Sequence, residues 1–114
     1  MKIRSYQFGR IDIDGHVYRH DVKILDGQVV PEWWRRQSHF VDIEDVRDLL
    51  DTDADICIFG TGAYGSMQIS ESVQTELKRR GFQVIMEKTA AACNRFTHLH
   101  REGKRIIAGF HLTC

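Results

Sequence analysis

The chain has 114 residues, a length that fits one domain with one hydrophobic core over residues 1–114. Its 16 basic and 16 acidic residues give a formal net charge of zero, which excludes the large positive field of a general nucleic-acid or membrane-surface binder. No apolar run approaches the ~20 residues that span a bilayer, and the first residues show neither a signal segment nor a transit peptide. We therefore expect a cytoplasmic protein that binds neither nucleic acid nor membrane.

The first thirty residues predict an antiparallel meander of three strands. Asp14-Gly15 and Asp26-Gly27 separate apolar stretches, and Asp-Gly pairs favour type I′ hairpin turns because both central positions need φ > 0. We expect these strands over residues 3–13, 16–25 and 28–31. In the first of them the apolar phase changes, which indicates a bulge at Gly9.

Helical and strand patterns alternate from Asp42 onward. Helices are expected over residues 42–51, from Ser70 to Gly81 and over 89–102. Strands are expected over residues 56–59, 82–86 and 105–112. The run at 56–59 is apolar on both faces, which predicts a central, covered strand. This order predicts the α/β class: a single three-layer domain with three helices on a mixed central sheet and an N-terminal antiparallel β-meander.

Charge is unevenly distributed along the chain. Residues 42–55 hold seven acids and one base, whereas residues 78–105 hold eight bases and two acids, so the two segments are net −6 and +6. Such segments are typical of solvent-facing helices whose charges complement the helix dipoles. They also fit a dipolar surface that favours self-association or a charged partner, so a homo-oligomer stays open.

The motif Gly60-x-Gly62-x-x-Gly65 follows the first buried strand, and Glu87 lies 22 residues beyond its last glycine. This spacing resembles the dinucleotide fingerprint. However, the next helix begins only at Ser70, and too few strands follow for a second mononucleotide-binding half. We therefore expect no nicotinamide, flavin or other cofactor. Backbone amides exposed at the end of a central strand still make this loop a candidate site for a small anion or ligand, the alternative being a purely structural turn.

Two tryptophans and two arginines, Trp33-Trp34-Arg35-Arg36, lie in the connection before the first helix. Adjacent side chains on an extended segment point to opposite sides, so at least one tryptophan should be partly exposed. Exposed Trp and Arg are typical of binding hot spots and of anion recognition. The alternative is a tryptophan folded over the sheet edge with an arginine stacked on it.

Metal and nucleophile chemistry find little support in the residue spacing. His16 and His20 would lie ~13 Å apart on a strand, too far to share an ion. Cys57 and Cys93 lie in apolar patterns, which predicts free thiols packed in the core. Cys114 lies three residues after His111, and no adjacent residue clearly activates it as a nucleophile. We expect no metal and no catalytic residue, although an activity through Cys114 or the glycine loop stays open.

Several short motifs together resemble a known family. In chain order they are Tyr6-x-Phe8-Gly9, Ile13-Asp14-Gly15, His20-Asp21-Val22, Trp34-Arg35-Arg36, Gly60-Thr61-Gly62 and His111-Leu112-Thr113-Cys114. They resemble the small domain of the adipogenesis-associated Mth-domain-containing family, which includes a mitochondrial complex I assembly factor and uncharacterised prokaryotic proteins. The resemblance implies a three-layer α/β domain on a mixed sheet, with no established enzymatic activity. Because no mitochondrial presequence is evident, we expect a free-standing prokaryote-type member.

The resemblance marks Arg35 and the Gly60 loop, which the residue patterns also single out. We expect a non-enzymatic accessory or assembly-type protein that binds an unidentified protein partner. The expected binding residues are Trp34, Arg35, Arg36, Gly60, Thr61 and Gly62. The two segments should adjoin in space, with Trp34 as apolar anchor and Arg35 as the reader of charge. The alternative is a small-molecule or anion-binding protein that uses the Gly60–Gly65 loop and Arg35.

Overall fold

The computed structural model describes residues 1–114 as ten strands and three helices. The strands are β1 Ile3–Gln7, β2 Arg10–Ile13, β3 His16–Tyr18, β4 Val22–Leu25, β5 Gln28–Val30, β6 Phe40–Val41, β7 Ile56–Thr61, β8 Gln68–Ile69, β9 Gln83–Glu87 and β10 Ile106–His111. The helices are α1 Arg47–Leu50, which continues a 3₁₀ turn over Ile43–Val46, α2 Glu71–Arg79 and α3 Thr89–Arg101.

A mixed central sheet contains five of the strands, in the order β5-β4-β10-β7-β9. The strands β10, β7 and β9 run parallel, whereas β4 is antiparallel to β10 and β5 is antiparallel to β4. The short strands β6 and β8 pair separately. The predicted fold class, three helices on a mixed sheet with an N-terminal antiparallel meander, is confirmed.

The meander is a separate sheet of β1, β2 and β3, and its boundaries differ from the prediction. Asp14-Gly15 joins β2 to β3 with φ values of 55° and 89°, as expected for a type I′ turn. The single strand over 3–13 is wrong, because the chain reverses at Gly9 (φ 80°) and pairs β1 with β2. A hairpin changes the apolar phase just as a bulge does, so the pattern alone could not separate them.

The strand predicted over residues 16–25 is also wrong, because the chain leaves the meander after β3 and joins the central sheet as β4. The second Asp-Gly pair, Asp26-Gly27, forms the expected hairpin between β4 and β5, but this hairpin belongs to the central sheet. The two Asp-Gly turns therefore serve two different sheets.

The helix caps follow the sequence. Asp42 Oδ1 accepts a hydrogen bond from the Ile43 amide at 2.8 Å. The Asp45 side chain accepts one from the Asp42 amide, so the two aspartates form a capping box. Ser70 Oγ accepts from the Val73 amide at 3.2 Å and begins α2. None of the helices is both long and apolar enough to cross a membrane.

Two apolar clusters cover the two faces of the central sheet and make the molecule three layers thick. The meander and α3 pack on one face, with Ile11, Ile13, Ile58, Phe96 and Phe110 among the buried residues. The 3₁₀ turn, α1 and α2 pack on the other face, with Trp33, Leu49, Phe59, Val73 and Leu77 among the buried residues.

The two oppositely charged segments meet at the amino ends of the parallel strands. Arg105 Nη1 lies 2.9 Å from Asp53, and its Nη2 lies 3.1 Å from Asp55. Arg80 similarly reaches Asp51 at 3.3 Å. Part of the charge asymmetry in the sequence is therefore neutralised within the molecule, at the sheet edge opposite the candidate site.

Candidate functional site

The carboxyl end of β10 brings distant segments together. Because β4 is antiparallel to β10, Asp21, which precedes β4, lies beside His111, which ends β10. The Leu112 amide donates to Asp21 Oδ1 at 2.7 Å, and the Trp33 amide donates to the Asp21 main-chain oxygen at 2.8 Å. Asp21 therefore ties the end of β10 to the tryptophan-arginine segment.

Trp33 and Trp34 take the two arrangements that the sequence left open. Trp33 is buried, and its Nε1 donates to the Asp45 main-chain oxygen at 2.9 Å. Its ring covers Gly109, where a Cβ would lie 2.7 Å from Trp33 Cζ3, so β10 needs a glycine at this position. The Arg35 guanidinium stacks 4.6 Å from the Trp33 ring centroid. Trp34 is 71% exposed and contacts the His20 ring at 5.1 Å between centroids.

The Arg35 side chain is directed inward. Only 4% of it is exposed, and its Nη2 lies 2.6 Å from Asp21 Oδ2. Its Nε and Nη2 both donate to the Ser38 main-chain oxygen, at 2.9 and 2.7 Å. Arg35 therefore neutralises Asp21 and closes the turn over residues 35–38, which leaves little of its donor capacity for a ligand. Arg36 is exposed and pairs with Glu44 at 3.0 Å.

His111 and Asp21 form a buried pair, with His111 Nδ1 2.7 Å from Asp21 Oδ2. Burial raises the pKa of Asp21, but hydrogen bonds from His111, the Leu112 amide and Arg35 outweigh it and hold that pKa below its usual range. The ionised carboxylate only accepts, so we assign the proton to His111 Nδ1, which donates to it. Arg35 Nη2, 3.3 Å from Nδ1, is then a neighbouring donor and not a partner.

A cavity of about 400 Å³ lies over this pair. Its wall includes Arg19, His20, Trp34, His39, His111 and Cys114. The His39 ring meets the His111 ring edge to face, with 5.2 Å between centroids. His111 Nε2 is buried without a hydrogen-bond partner, and it is the one buried side-chain nitrogen or oxygen in the protein left in that state. His111, a residue of the cavity wall, therefore has one unsatisfied buried polar atom.

The Gly60–Gly65 loop lies behind His111 and Cys114, and its amides are not free. The amide of Ala63 donates to the Thr113 oxygen at 2.6 Å, and those of Tyr64 and Ser66 donate to the Cys114 oxygen at 3.2 and 3.1 Å. The exposed amides expected from the sequence are therefore absent, because these amides donate to the main-chain oxygens of the last two residues.

The predicted binding residues Gly60, Thr61 and Gly62 have internal roles in the structure. Gly60 and Gly62 are buried, and a Cβ at Gly62 (φ 106°) would collide with the Cys114 main chain and lie 2.8 Å from His111 Cδ2. Thr61 Oγ1 donates to the Glu87 main-chain oxygen at 3.1 Å. These positions support the cavity from behind and offer little surface to a partner.

Buried Thr89 connects the loop to β10. Its Oγ1 accepts from the Gly62 amide at 2.8 Å and donates to the His111 main-chain oxygen at 2.6 Å. Sequence reasoning missed this residue because a threonine at the start of a helix gives no sign of a partner 22 residues away. The hydroxyl fixes the position of His111 relative to the loop.

The structure brings the tryptophan-arginine segment and the glycine loop together at the carboxyl ends of the parallel strands. His111 and Cys114 lie between these two segments. Sequence reasoning missed Arg19, Asp21, His39 and His111 as wall residues of one cavity. The pairs His20-Asp21 and His111-Cys114 were visible, but 90 residues separate Asp21 from His111 and only the pairing of β4 with β10 joins them.

The three cysteines are free, as expected, and no group of three or more potential ligands is arranged to share a metal ion. Burial raises the pKa of Cys57 strongly and that of Cys93 to about 12, which fits packing thiols. Cys114 is exposed on the cavity wall.

Fold and site together define a small three-layer α/β domain with a polar cavity at one sheet edge. The chain belongs to the family described as "protein of unknown function (DUF498/DUF598)", whose model matches residues 3–111. The chain is similar to the conserved hypothetical protein PH1505 from Pyrococcus horikoshii OT3, with 30% identity, 100% of both chains covered and a TM-score of 0.80.

Two further solved structures share the fold. The protein MT938 has 24% identity over 99% of this chain and 98% of its own, with a TM-score of 0.82. A protein from Bordetella pertussis, described as a Mth938-like domain, has 18% identity over 97% of this chain and 85% of its own, with a TM-score of 0.73. The predicted membership in an Mth-type domain family of uncharacterised proteins is confirmed.

Proposed function

We propose that the protein is a non-enzymatic accessory protein of the cytoplasm that binds another protein through an aromatic edge formed by Phe8, Trp34 and Tyr64. The observation that carries this proposal is the exposure of Trp34 and Tyr64, at 71% and 72%. Single exposed apolar side chains are common, but several large aromatic ones at one edge are typical of a binding surface.

The three aromatic side chains belong to one edge of the molecule. The rings of Phe8 and Tyr64 lie 6.2 Å apart between centroids. The Tyr64 amide donates to the Cys114 oxygen, and Cys114 shares the cavity wall with Trp34. The aromatic edge therefore runs from the meander turn, across the last residue, to the tryptophan-arginine segment.

Rigid support makes Trp34 the expected anchor of this edge. Its neighbour Trp33 is buried and hydrogen-bonded, and Arg35 is held by Asp21 and Ser38, so both flanking residues are fixed. A partner would therefore meet a preorganised indole, which reduces the ordering cost of binding. Tryptophan is among the residues most enriched in interface hot spots.

The alternative of an anion site built from the Gly60–Gly65 loop and Arg35 is less well supported. The loop amides already donate to main-chain oxygens of Thr113 and Cys114, and Arg35 is paired with Asp21. A ligand there would have to displace existing hydrogen bonds. An accessory or assembly-type role through the aromatic edge requires no such rearrangement.

Affinity capture from the native cell, quantified by mass spectrometry, tests the proposal with the wild-type protein, Trp34→Ala and Val17→Ala. Val17 is an exposed apolar residue in β3 that lies outside the aromatic edge, so it controls for loss of apolar surface. We expect a specific protein to be captured by the wild type and by Val17→Ala and to be lost with Trp34→Ala. With that protein purified, Trp34→Ala should weaken binding at least ~30-fold, as for a central hot spot of about 2 kcal/mol.

Thermal unfolding of each variant accompanies the capture, because a loss of binding counts only for a folded protein. Trp34 is mostly exposed, so its truncation should leave the melting temperature almost unchanged. Equal capture by Trp34→Ala and the wild type would contradict the proposal, as would the absence of any specifically captured protein.

A further inference from the structure

The edge strand β9 has main-chain groups that no strand of the molecule pairs with. It pairs with β7 and has no strand on its other side. The Gln83 amide donates to the Asp55 main-chain oxygen, just before β7, so Gln83 and every second residue after it direct their main-chain groups toward β7. The amides and carbonyls of Val84 and Met86 therefore point away from the sheet, where a further strand could pair with them.

The other edge strands of the molecule are shorter or irregular. At the opposite side of the central sheet, β5 has three residues and Pro31 follows it. In the meander, β3 also has three residues, and the pairing of β1 shifts register between Ile3 and Ser5. The strand β9 has five residues in continuous register, with no proline, lysine or bulge. A long and regular edge strand without these protective features is the kind that pairs with another chain.

The side chains of β9 are mostly apolar and only partly covered. Met86 is 44% exposed and lies beside Phe59, on the face of the sheet that α2 covers. Val84 lies on the same face and is partly buried. Ile85, also partly buried, lies beside Ile58 on the face that α3 covers. A strand added beside β9 would cover apolar surface on both faces.

The strand β9 is complementary to itself in one antiparallel register. When Ile85 of two copies face each other, Val84 of each copy lies opposite Met86 of the other. These residues then exchange main-chain hydrogen bonds in both directions, because their amides and carbonyls point outward. Met86 packs on Val84 on one face of the joined sheet, and the two Ile85 side chains meet on the other face. A shift of two residues in either direction leaves part of β9 without a partner.

The charges in this register fit a second copy of the chain. Glu87 is the one charged residue of β9, and it pairs with Arg95 of its own α3 at 2.9 Å. In the register centred on Ile85, Glu87 lies opposite the uncharged Gln83, so no like charges face each other. The formal net charge of the chain is zero, so two copies meet without long-range repulsion.

We infer that β9 binds β9 of a second copy of this chain, antiparallel and about a twofold axis, so that the two central sheets join into one continuous sheet. A twofold interface uses the same surface on both copies, as the register centred on Ile85 requires. The inference is independent of the protein partner proposed above, because it uses none of Phe8, Trp34 and Tyr64.

Sedimentation velocity of the full chain between about 5 and 500 μM tests the inference. We expect a reversible equilibrium between monomer and dimer with a dissociation constant below about 100 μM, since an edge-strand interface is small for a stable dimer. A chain that stays monomeric up to about 500 μM would overturn the inference.

Opposite charges introduced at Gln83 test the register. Gln83 is exposed, and in the dimer it lies opposite Glu87 of the other copy. Gln83→Lys should tighten the dimer at least about threefold, whereas Gln83→Glu should weaken it at least about threefold. The matched controls are Gln28→Lys and Gln28→Glu, which make the same changes of charge on the exposed glutamine of β5. Neither control should change the dissociation constant.

Met86→Pro tests the main-chain pairing. The Met86 amide points away from β7, so proline removes no hydrogen bond within the central sheet but removes a donor to the second copy. We expect this variant to be monomeric at all the concentrations measured, and circular dichroism with thermal unfolding shows that it is folded. The Gln83 variants keep the test decisive if Met86→Pro does not fold, because Gln83 is exposed.

Two results would place any observed dimer elsewhere on the molecule and overturn the inference. One is a folded Met86→Pro variant that forms the dimer as tightly as the wild type. The other is a pair of Gln83 variants whose dissociation constants do not differ, or differ only as those of the Gln28 variants do.

Discussion

Ion pairs lie at both ends of the parallel strands of the central sheet, which we call the carboxyl edge and the amino edge. The two sets use the same residue types in different surroundings. At the carboxyl edge, the side chains of Arg35 and Asp21 are 4% and 13% exposed, and they lie 2.6 Å apart. At the amino edge, Arg105 reaches Asp53 and Asp55 at 2.9 and 3.1 Å, but its side chain is 56% exposed. Water and salt screen the second set of charges far more than the first. Burial, and not distance, therefore decides which pair determines the local structure.

The largest effect is expected from breaking the buried pair. Asp21→Ala would leave Arg35 as an uncompensated buried charge and the Leu112 amide without its acceptor. Removing one member of a buried ion pair typically costs about 3–5 kcal/mol. Urea unfolding of the variant should show a loss of that size in the free energy of unfolding. A loss below about 1 kcal/mol would mean that the pair behaves like an exposed one, and the contrast between the two edges would not hold.

A smaller effect is expected from a substitution in the Gly60–Gly65 loop, which packs against the last residues at the carboxyl edge. Gly62→Ala places a Cβ against the Cys114 main chain at a φ of 106°, so both backbone strain and overlap oppose it. We expect a loss of at least about 2 kcal/mol in the free energy of unfolding, measured with urea.

Gly81→Ala is the matched control for that substitution. Its φ is 92°, but nothing lies within 4 Å of the new Cβ, so only the backbone strain of about 1 kcal/mol should remain. The excess loss at Gly62 measures how closely the last residues pack on the loop. Equal losses in the two variants would show that the Cys114 main chain moves aside for the new Cβ and is not tightly packed on the loop.

The smallest effect is expected at the amino edge. Arg105→Ala removes contacts to Asp53 and Asp55, which are both exposed, and such pairs contribute little to the free energy of unfolding. The difference from the wild type should shrink further in high salt, because screening weakens exposed pairs. Urea unfolding at low and high salt measures both quantities. A loss as large as that of Gly81→Ala that persists in high salt would contradict the comparison.

Local patterns predicted much of the fold because the physical causes are themselves local. The Asp-Gly turns, the Asp42 and Ser70 caps and the apolar strand at 56–59 each depend on neighbouring residues. The error at Gly9 arose because a hairpin and a bulge produce the same change of apolar phase. Only the pairing partner of each strand distinguishes them, and that partner is not written in the local pattern.

The candidate site was predicted less well because it depends on contacts between distant residues. The exposure of Trp34 follows from the alternation of an extended segment, but the inward direction of Arg35 depends on Asp21, 14 residues away. The glycine loop looked like a ligand cradle because its sequence does not show that Thr113 and Cys114 occupy its amides. His111 became a wall residue of the cavity only through the neighbouring strands of β10.

The position of β10 also constrains how the protein is made. β10 is the last strand in the chain, yet it lies in the middle of the central sheet, between β4 and β7. During translation, the hairpin of β4 and β5 has no partner in the sheet until residues 106–111 have left the ribosome. The pairing of β4 with β10 closes a loop of roughly 80 residues, so it contributes slow, nonlocal contacts to the folding reaction. The cavity, whose wall includes His111 at the end of β10 and Cys114 after it, therefore forms only after synthesis of the whole sheet.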